Sequence, residues 1–449
     1  MYENERIKIE APPEVEKEHG SKLLLGYLLG ENRSVVEKMF NRVSNKEYLY
    51  WDKAKFHLNR SGDAWYLIRQ IRKISSVEIP VKSEKGIYFT WYRPLYTDKY
   101  LREIDMYMGG AFLADTTTTV QVNNRQKYLA RGIVEESIAS SQLEGADTAS
   151  KYAKKMLTEK IRPRNKSEQM IVNNYRVMKK IENEYKDREL SLYLLQTLQS
   201  ELTEKTLDDE YKSGELRKDS DEIVVNYDAM VAHVPPKAEF VKYELERLVA
   251  YANDDSDFIH PVIKAIQLHF WIGYLHPFPD GNGRLARAVF YWYLFRHNYW
   301  AIGYIPISMI LKRSQHSYAY AYIYAEQDDY DFTYFYDYNL RCVLKAINAF
   351  NEHIEKKKSE NEGVSVIIRT KYPMLNSRQV DTLKFLASGN DISTSGTSYS
   401  LMHGVALRTA YRDLKALKEL GLVFSYSDGK NVSYKIENNV KEQIFEKDV

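Results

Sequence analysis

The sequence predicts a mostly α-helical protein: a long helical body interrupted by one short β-hairpin, then a small module of helices and a second hairpin. Three observations carry this. Apolar residues recur at helical spacing in long stretches from Gln126 onward. Strand-like runs are few and short. The polar, charged run 356–363 separates the two patterns as a linker. The expected organisation is therefore an accessory region over 1–115, a helical body over 116–355 and a C-terminal module over 364–449.

Taken in order, residues 1–115 mix helical signals at 34–40 and 63–74 with the strand-like run 86–91, whose role the sequence does not reveal. The body then reads as helices over 126–143, 167–185, 190–203 and 238–252, two helices flanking a polar loop at 276–283, and a last helix over 331–356. Between Arg217 and Pro236 the run 221–236 reads as a short hairpin before a helix. Beyond the linker, helical signals at 377–386 and 406–420 are separated by a Ser/Thr/Gly-rich turn at 393–400. Runs 423–426 and 432–436 form a hairpin about Asp428 and Gly429.

Composition excludes several classes. At 449 residues, 44% hydrophobic and 28% charged, the chain is an ordinary globular one with room for about two to four domains. Its 64 basic and 62 acidic residues nearly cancel, so any nucleic-acid surface has to be a local patch. Cys342 is the single cysteine, which rules out an internal disulfide or a cysteine-based metal site and favours a reducing cytoplasm. The polar start Met1–Glu5 has no apolar core, and no run reaches the roughly 18 apolar residues of a span, so neither secretion nor a membrane partner is expected.

The most informative run is 276–287, His-Pro-Phe-Pro-Asp-Gly-Asn-Gly-Arg-Leu-Ala-Arg. Pro277 and Pro279 oppose helix continuation. Gly281 and Gly283 permit the positive φ of an amide nest, and a new helix then starts near Gly283, so backbone N–H groups and the positive helix end converge on an anion. Asp280 is a hard oxygen ligand for Mg²⁺ between phosphates. Arg284 and Arg287 project from nearly one face as charged forks, and His276 can take a proton from a hydroxyl. Together they describe in-line phosphoryl or nucleotidyl transfer. A calcium loop fails because its next ligand position is Arg284. A Walker loop fails for want of Gly-Lys-Ser/Thr.

Position by position, the run resembles the Fic-domain motif, and the resemblance covers roughly 115–350. It implies a mostly helical Fic-type core with a β-hairpin flap, and transfer of AMP from ATP, with Mg²⁺, to Ser, Thr or Tyr hydroxyls of a target protein. His276 would be the base and Asp280 the metal ligand. Gly281, Asn282 and Gly283 would form the phosphate nest, Arg284 and Arg287 the phosphate-binding cations, and Phe278 an inward anchor. The hairpin 221–236 resembles the family's flap, whose edge would pair with an extended target segment. Tyr318, Tyr320 and Tyr322 are candidates for facing adenine.

Upstream, Gly145 suits the position just past a helix end, and Glu144 in the last turn opposes the helix dipole by ~0.3–1 kcal/mol unless a cation answers it. Ser141 and Glu144 also suit a capping box. Ser140, Glu144 and Gly145 resemble the Fic inhibitory motif of the intramolecular class, with the inhibitory helix near 126–145. By that resemblance Glu144 would pair with Arg287 and deny it to the γ-phosphate of ATP.

The C-terminal helices and hairpin resemble a winged helix-turn-helix, in which Arg408, Thr409 and Arg412 are types that contact DNA; the same pattern suits a protein-protein or dimerisation module. The leading expectation is an autoinhibited protein adenylyltransferase, with self-modification and homo-oligomers both compatible. A de-AMPylating hydrolase that uses Glu144 on the same site, and a nucleotide-sensing DNA-binding regulator, are the alternatives.

Overall fold

Residues 6–108, 122–221, 223–387, 392–428 and 431–445 are described by the computed structural model. The expected body boundary at 115/116, the N-terminal run Met1–Glu5 and the Gly429 turn lie outside them. The chain divides into two compact units, 1–348 and 349–449.

The first unit begins with helices α1 (Lys17–Leu28), α2 (Arg33–Ser44), α3 (Trp51–Ala54) and α4 (Gly62–Ile74). The antiparallel pair β1 (Ser76–Lys82) and β2 (Tyr88–Tyr92) follows, and then α5 (Tyr96–Met108). Helix α4 starts where the Ser61 side chain accepts from the Ala64 N–H, and its Arg72 is buried, donating to the carbonyls of Val43 and Leu49. This region shares a core with the rest of its unit: Trp51, Trp65 and Ile68 pack with Tyr324 and Tyr334.

Helices α6 (Val122–Leu143), α7 (Ser150–Thr158), α8 (Lys166–Asn183) and α9 (Leu192–Thr203) come next, with α8 and α9 capped by the Asn165 and Ser191 side chains. The hairpin β3 (Val225–Tyr227) and β4 (Met230–His233) precedes α10 (Ala238–Asn253). At the centre are α11 (Pro261–Leu275) and α12 (Asn282–Arg296). Both are buried on nearly every side, so apolar side chains fall all round them rather than in one stripe, with Lys264, His269, Arg284 and Arg287 buried among them. Proline at the first position of α11 costs nothing there, because that N–H has no helical partner. Leu195, Leu198 and Leu202 of α9, Ile171 and Val177 of α8, and Leu285, Val289 and Trp292 of α12 are buried, each contributing about 1.5–3 kcal/mol.

Helices α13 (Ile307–Arg313), α14 (Gln315–Gln327) and α15 (Thr333–Lys371) complete the unit, and α15 continues into the second. The charged run 356–363, expected as a break, is helical within α15. It lacks proline, and Lys and Glu favour helix even where Gly363 costs about 1 kcal/mol.

The second unit contains α16 (Ser377–Ala387), α17 (Gly396–His403), α18 (Leu407–Glu419), α19 (Asn438–Phe445) and an antiparallel sheet of order β5-β7-β6. Its strands are β5 (Thr394–Ser395), β6 (Val423–Asp428) and β7 (Asn431–Ile436). The stretch 393–400, expected as a turn, forms β5 and starts α17, because Ser395 caps the helix by accepting from the Ser398 N–H. Its core holds Leu383, Tyr399, Leu414, Leu417 and Tyr434. Among the described residues no helix is long and apolar enough to cross a membrane.

Candidate active site

Helix α11 cannot run on, because Pro277 has no N–H to donate and disfavours helical geometry at the residue before it. His276 instead takes the left-handed conformation, φ 47°, and its own N–H closes the helix onto the Ile272 carbonyl at 3.0 Å. Its ring turns inward: Nδ1 is 2.9 Å from the Gly273 carbonyl, which accepts only, so Nδ1 carries the proton and Nε2 keeps its lone pair. Burial lowers the imidazole to about 4, against hydrogen bonding to Gly273 and the charge of Glu144, so the ring is neutral at neutral pH.

The loop is locked by its own residues. Asn282 accepts from the Phe278 N–H at 2.9 Å and donates to the Phe278 carbonyl at 2.7 Å, while the Phe278 ring is wholly buried. The side chain of Asn282 therefore braces the loop, leaving only its backbone for an anion. Gln199 holds the Asp280 carbonyl at 3.0 Å. Gly281 has φ 80°, and a Cβ there would stand 2.8 Å from the Thr203 methyl, so glycine is required twice over. The first-turn N–H groups of α12 have no helical partners and form the nest.

The two arginines divide the space around that nest. Arg284, 1% exposed, donates to the Leu202 carbonyl at 2.7 Å, and its Nε and Nη2 make no hydrogen bond among the described residues, Nη2 standing 3.7 Å from Asp280 Oδ2. A buried guanidinium with idle donors is a site for an anion. Arg287 is occupied: Nε donates to Ser140 Oγ at 2.8 Å, and Nη2 to the Ser140 carbonyl and to Glu144 Oε1, each at 2.9 Å. Burial alone would raise the Glu144 carboxyl, but Arg287, Arg284 and the hydrogen bond from Arg287 outweigh it and the group is lowered. Glu144 sits at a helix end closed by a pair of bonds, Ala146 N–H to Ser141 O and Gly145 N–H to Gln142 O, with Gly145 at φ 90°. This is the helix-end alternative; the capping box between Ser141 and Glu144 does not form. A Cβ on Gly283 would lie 2.2 Å from Glu144 Oε1, so the carboxylate rests directly on the first turn of α12 where an anion would go.

A cleft of about 370 Å³ opens from this point, lined by Glu144, His276, Gly283 and Arg287, by the hairpin at Asn226 and Tyr227, and by Tyr318 and Tyr322. Tyr318 is fixed by a 2.8 Å hydrogen bond to His269, which burial holds at about 3. Tyr320 does not reach the cleft. Residues 318 and 322 share a helix face, while 320 points away and stacks on His316 at 4.2 Å.

The hairpin turns at Asp228 and Ala229, both at positive φ, in the geometry that suits two-residue hairpin loops. The outer edge of β4 is covered, since the Ile7 N–H donates to the Val231 carbonyl at 2.9 Å. Asn226 pairs with Val231 across the hairpin, and in an antiparallel pair both members turn their main-chain groups the same way, in or out. Asn226 therefore presents its N–H and C=O on the other edge, over the cleft.

Asp280 fits a shared metal. Its carboxylate is about half exposed, with Oδ1 accepting from the Gly281 N–H, and no group of three or more His, Cys, Asp or Glu that could hold a metal occurs among the described residues. One carboxylate beside a phosphate nest suits Mg²⁺ held jointly with phosphates and water. Reading the sequence missed Arg217, Gln199 and His233. The His233 ring lies 6.3 Å from that of His276, with Nε2 2.7 Å from the Tyr274 carbonyl. No motif marks them; only the fold brings them to the loop.

Residues 189–294 match the model of the Fic/DOC family. The protein adenylyltransferase Fic of Culex quinquefasciatus is 33% identical over 87 residues, 19% of this chain and 16% of that protein. That of Nematostella vectensis is 40% identical over 62 residues, 13% of this chain and 14% of that protein. The match thus spans less than a fifth of these curated relatives. Among solved structures, a Fic family protein from Desulfovibrio desulfuricans G20 aligns with TM-score 0.49 and 15% identity over 76% of this chain and 96% of that one. Fic-1 from C. elegans aligns with TM-score 0.46 and 16% identity over 75% of this chain and 87% of that one.

Proposed function

We propose that this chain, whose residues 189–294 carry a Fic domain, is a protein adenylyltransferase that moves AMP from ATP to a Ser, Thr or Tyr hydroxyl of a target protein and is held idle by Glu144. One observation carries the reading: a neutral His276, its Nδ1 held by the Gly273 carbonyl, shares a cleft with the first turn of α12 and with Arg287, which is already bound by Glu144. With the brake withdrawn, the first turn of α12 and Arg284 hold the phosphates, and Arg287 is released to the γ-phosphate. His276 takes the proton as the hydroxyl oxygen bonds to the α-phosphorus; the bond to the β-phosphate oxygen breaks and pyrophosphate leaves. Asp280 would hold Mg²⁺, which when bound neutralises phosphate charge. The open edge at Asn226 would align an extended target segment by main-chain hydrogen bonds, leaving its side chain free to reach His276. The single, buried Cys342 suits a cytoplasmic setting.

The test is transfer of α-labelled ATP to protein with Mg²⁺. Glu144→Gly is expected to label targets or itself far above wild type, and Glu144→Gly/His276→Ala to lose the label. No label in any variant that still binds nucleotide would overturn the reading. A reverse reaction is favoured by one detail, the Glu144 carboxylate seated on the nest, where it could orient a water toward an AMP-protein bond. Glu144-dependent release of AMP from modified protein would establish it.

For the C-terminal unit we infer a winged helix-turn-helix that binds duplex DNA. Arg408, Arg412 and Lys415 are exposed along α18, whose other face is the unit's core, and β6 and β7 supply the wing. Binding should fall steeply with salt and be lost in Arg408→Ala/Arg412→Ala. Salt-insensitive binding, or binding the double variant retains, would instead leave a protein-contact module.

A further inference from the structure

Arg217 is a buried cation, 8% exposed, outside the phosphate-binding pair. Its Nε, Nη2 and backbone N–H all donate to main chain. Nε donates to the His276 carbonyl at 2.7 Å, Nη2 to the Leu275 carbonyl at 3.3 Å and to that of Pro236, and the backbone N–H to the Pro277 carbonyl at 3.0 Å. One residue therefore gathers three consecutive carbonyls at the end of α11 and one at the exit of the β3–β4 hairpin.

Those carbonyls need an outside donor. The final carbonyls of a helix have no partners within it, and the residue whose N–H would meet the Leu275 carbonyl if the helix ran on, at position 279, is a proline without one. His276 meanwhile holds a left-handed conformation that disfavours any residue with a Cβ. The planar fork of an arginine can bridge several carbonyls at fixed angles, which a lysine ammonium cannot.

We infer that Arg217 is a positioning residue: it fixes the left-handed turn that aims His276 into the cleft and ties that turn to the hairpin, so base and flap keep one geometry. Its consequence for rate rests on the adenylyl-transfer reading; the clamp itself does not.

The experiment places Arg217→Lys and Arg217→Met in the Glu144→Gly background. Both should lower kcat for label transfer about 100-fold with KM for ATP little changed, since a small misplacement of a base costs rate rather than binding. Hydrogen exchange on the nucleotide-free proteins should be about tenfold faster at 276–285, with α8 and α9 unchanged. Full activity in Arg217→Lys, a change in KM alone, or protection lost throughout the first unit would overturn the inference. If Glu144→Gly itself transfers nothing, the functional reading fails, and exchange alone decides Arg217: local loosening supports the clamp, while unchanged or global exchange refutes it.

Discussion

As the proposed base, His276 would depend on two neighbours, the Gly273 carbonyl that fixes its tautomer and the buried surroundings that hold it neutral. A folded value of about 4, below the ordinary 6.5, leaves the base form present down to that pH. Glu144→Gly removes a charge that raises it, so the shift deepens in the uninhibited enzyme. The acid limb of kcat/KM for transfer by Glu144→Gly, which reports the free enzyme, should therefore lie below about pH 4. A limb near the ordinary histidine value would show that the ring is solvated and the cleft wetter than its packing implies. Legibility is sharpest at this scale: the residue types at 276–287 pointed to phosphate handling through spacing within one or two turns, whereas 140–145 took its reading from the Fic resemblance, and the structure pairs Glu144 with Arg287. The mistaken adenine candidate, Tyr320, came from ignoring which way a helix points its side chains.

Among the elements, α6 would decide how the proposed brake is released. Ile133, Ser137, Ile138 and Ala139 are buried, and a Cβ on Gly132 would lie 2.1 Å from the Gly303 carbonyl. Glu136, two turns before Glu144, accepts from the Ser308 N–H at 2.9 Å at the start of α13. A helix bonded this way is part of the core, so release of the proposed brake would fall just past its end, where Gly145 holds a positive φ of 90°. Hydrogen exchange over 133–141 should be the same in wild type and Glu144→Gly, while Gly145→Ala, strained at φ 90° by about 1 kcal/mol, gives intermediate transfer. Deprotection of all α6 in Glu144→Gly would mean that the helix leaves as a body. The sequence foresaw this helix and its end, since periodicity and a terminal glycine are local signals, but not its embedding, which comes from partners some 170 residues away.

For the molecule as a whole, what stayed illegible is what joins distant segments. The first hundred residues offered only short patterns, yet they pack into the first unit beside the cleft. Ile7 bonds the free edge of β4, Arg6 pairs with Glu326 at 3.0 Å, and Gln327 donates to the Ile7 carbonyl at 2.7 Å. Glu326 in turn stands 2.8 Å from Nδ1 of His233 on the same hairpin. The contacts of Arg6 and Ile7 span more than 200 residues, and no periodicity encodes a partner that far away. They imply that the amino-terminal strap holds the flap from behind while leaving the Asn226 edge open. Deleting residues 1–10 should speed exchange across 225–233 and raise KM for a protein target, because the docking edge loses its backing. Affinity for ATP should persist, since Arg284 and the first turn of α12 lose no contact. Unchanged hairpin exchange would mean that β4 is held by α11 and α14 alone. Loss of ATP binding together with flap protection would mean that the strap supports the entire unit rather than the hairpin.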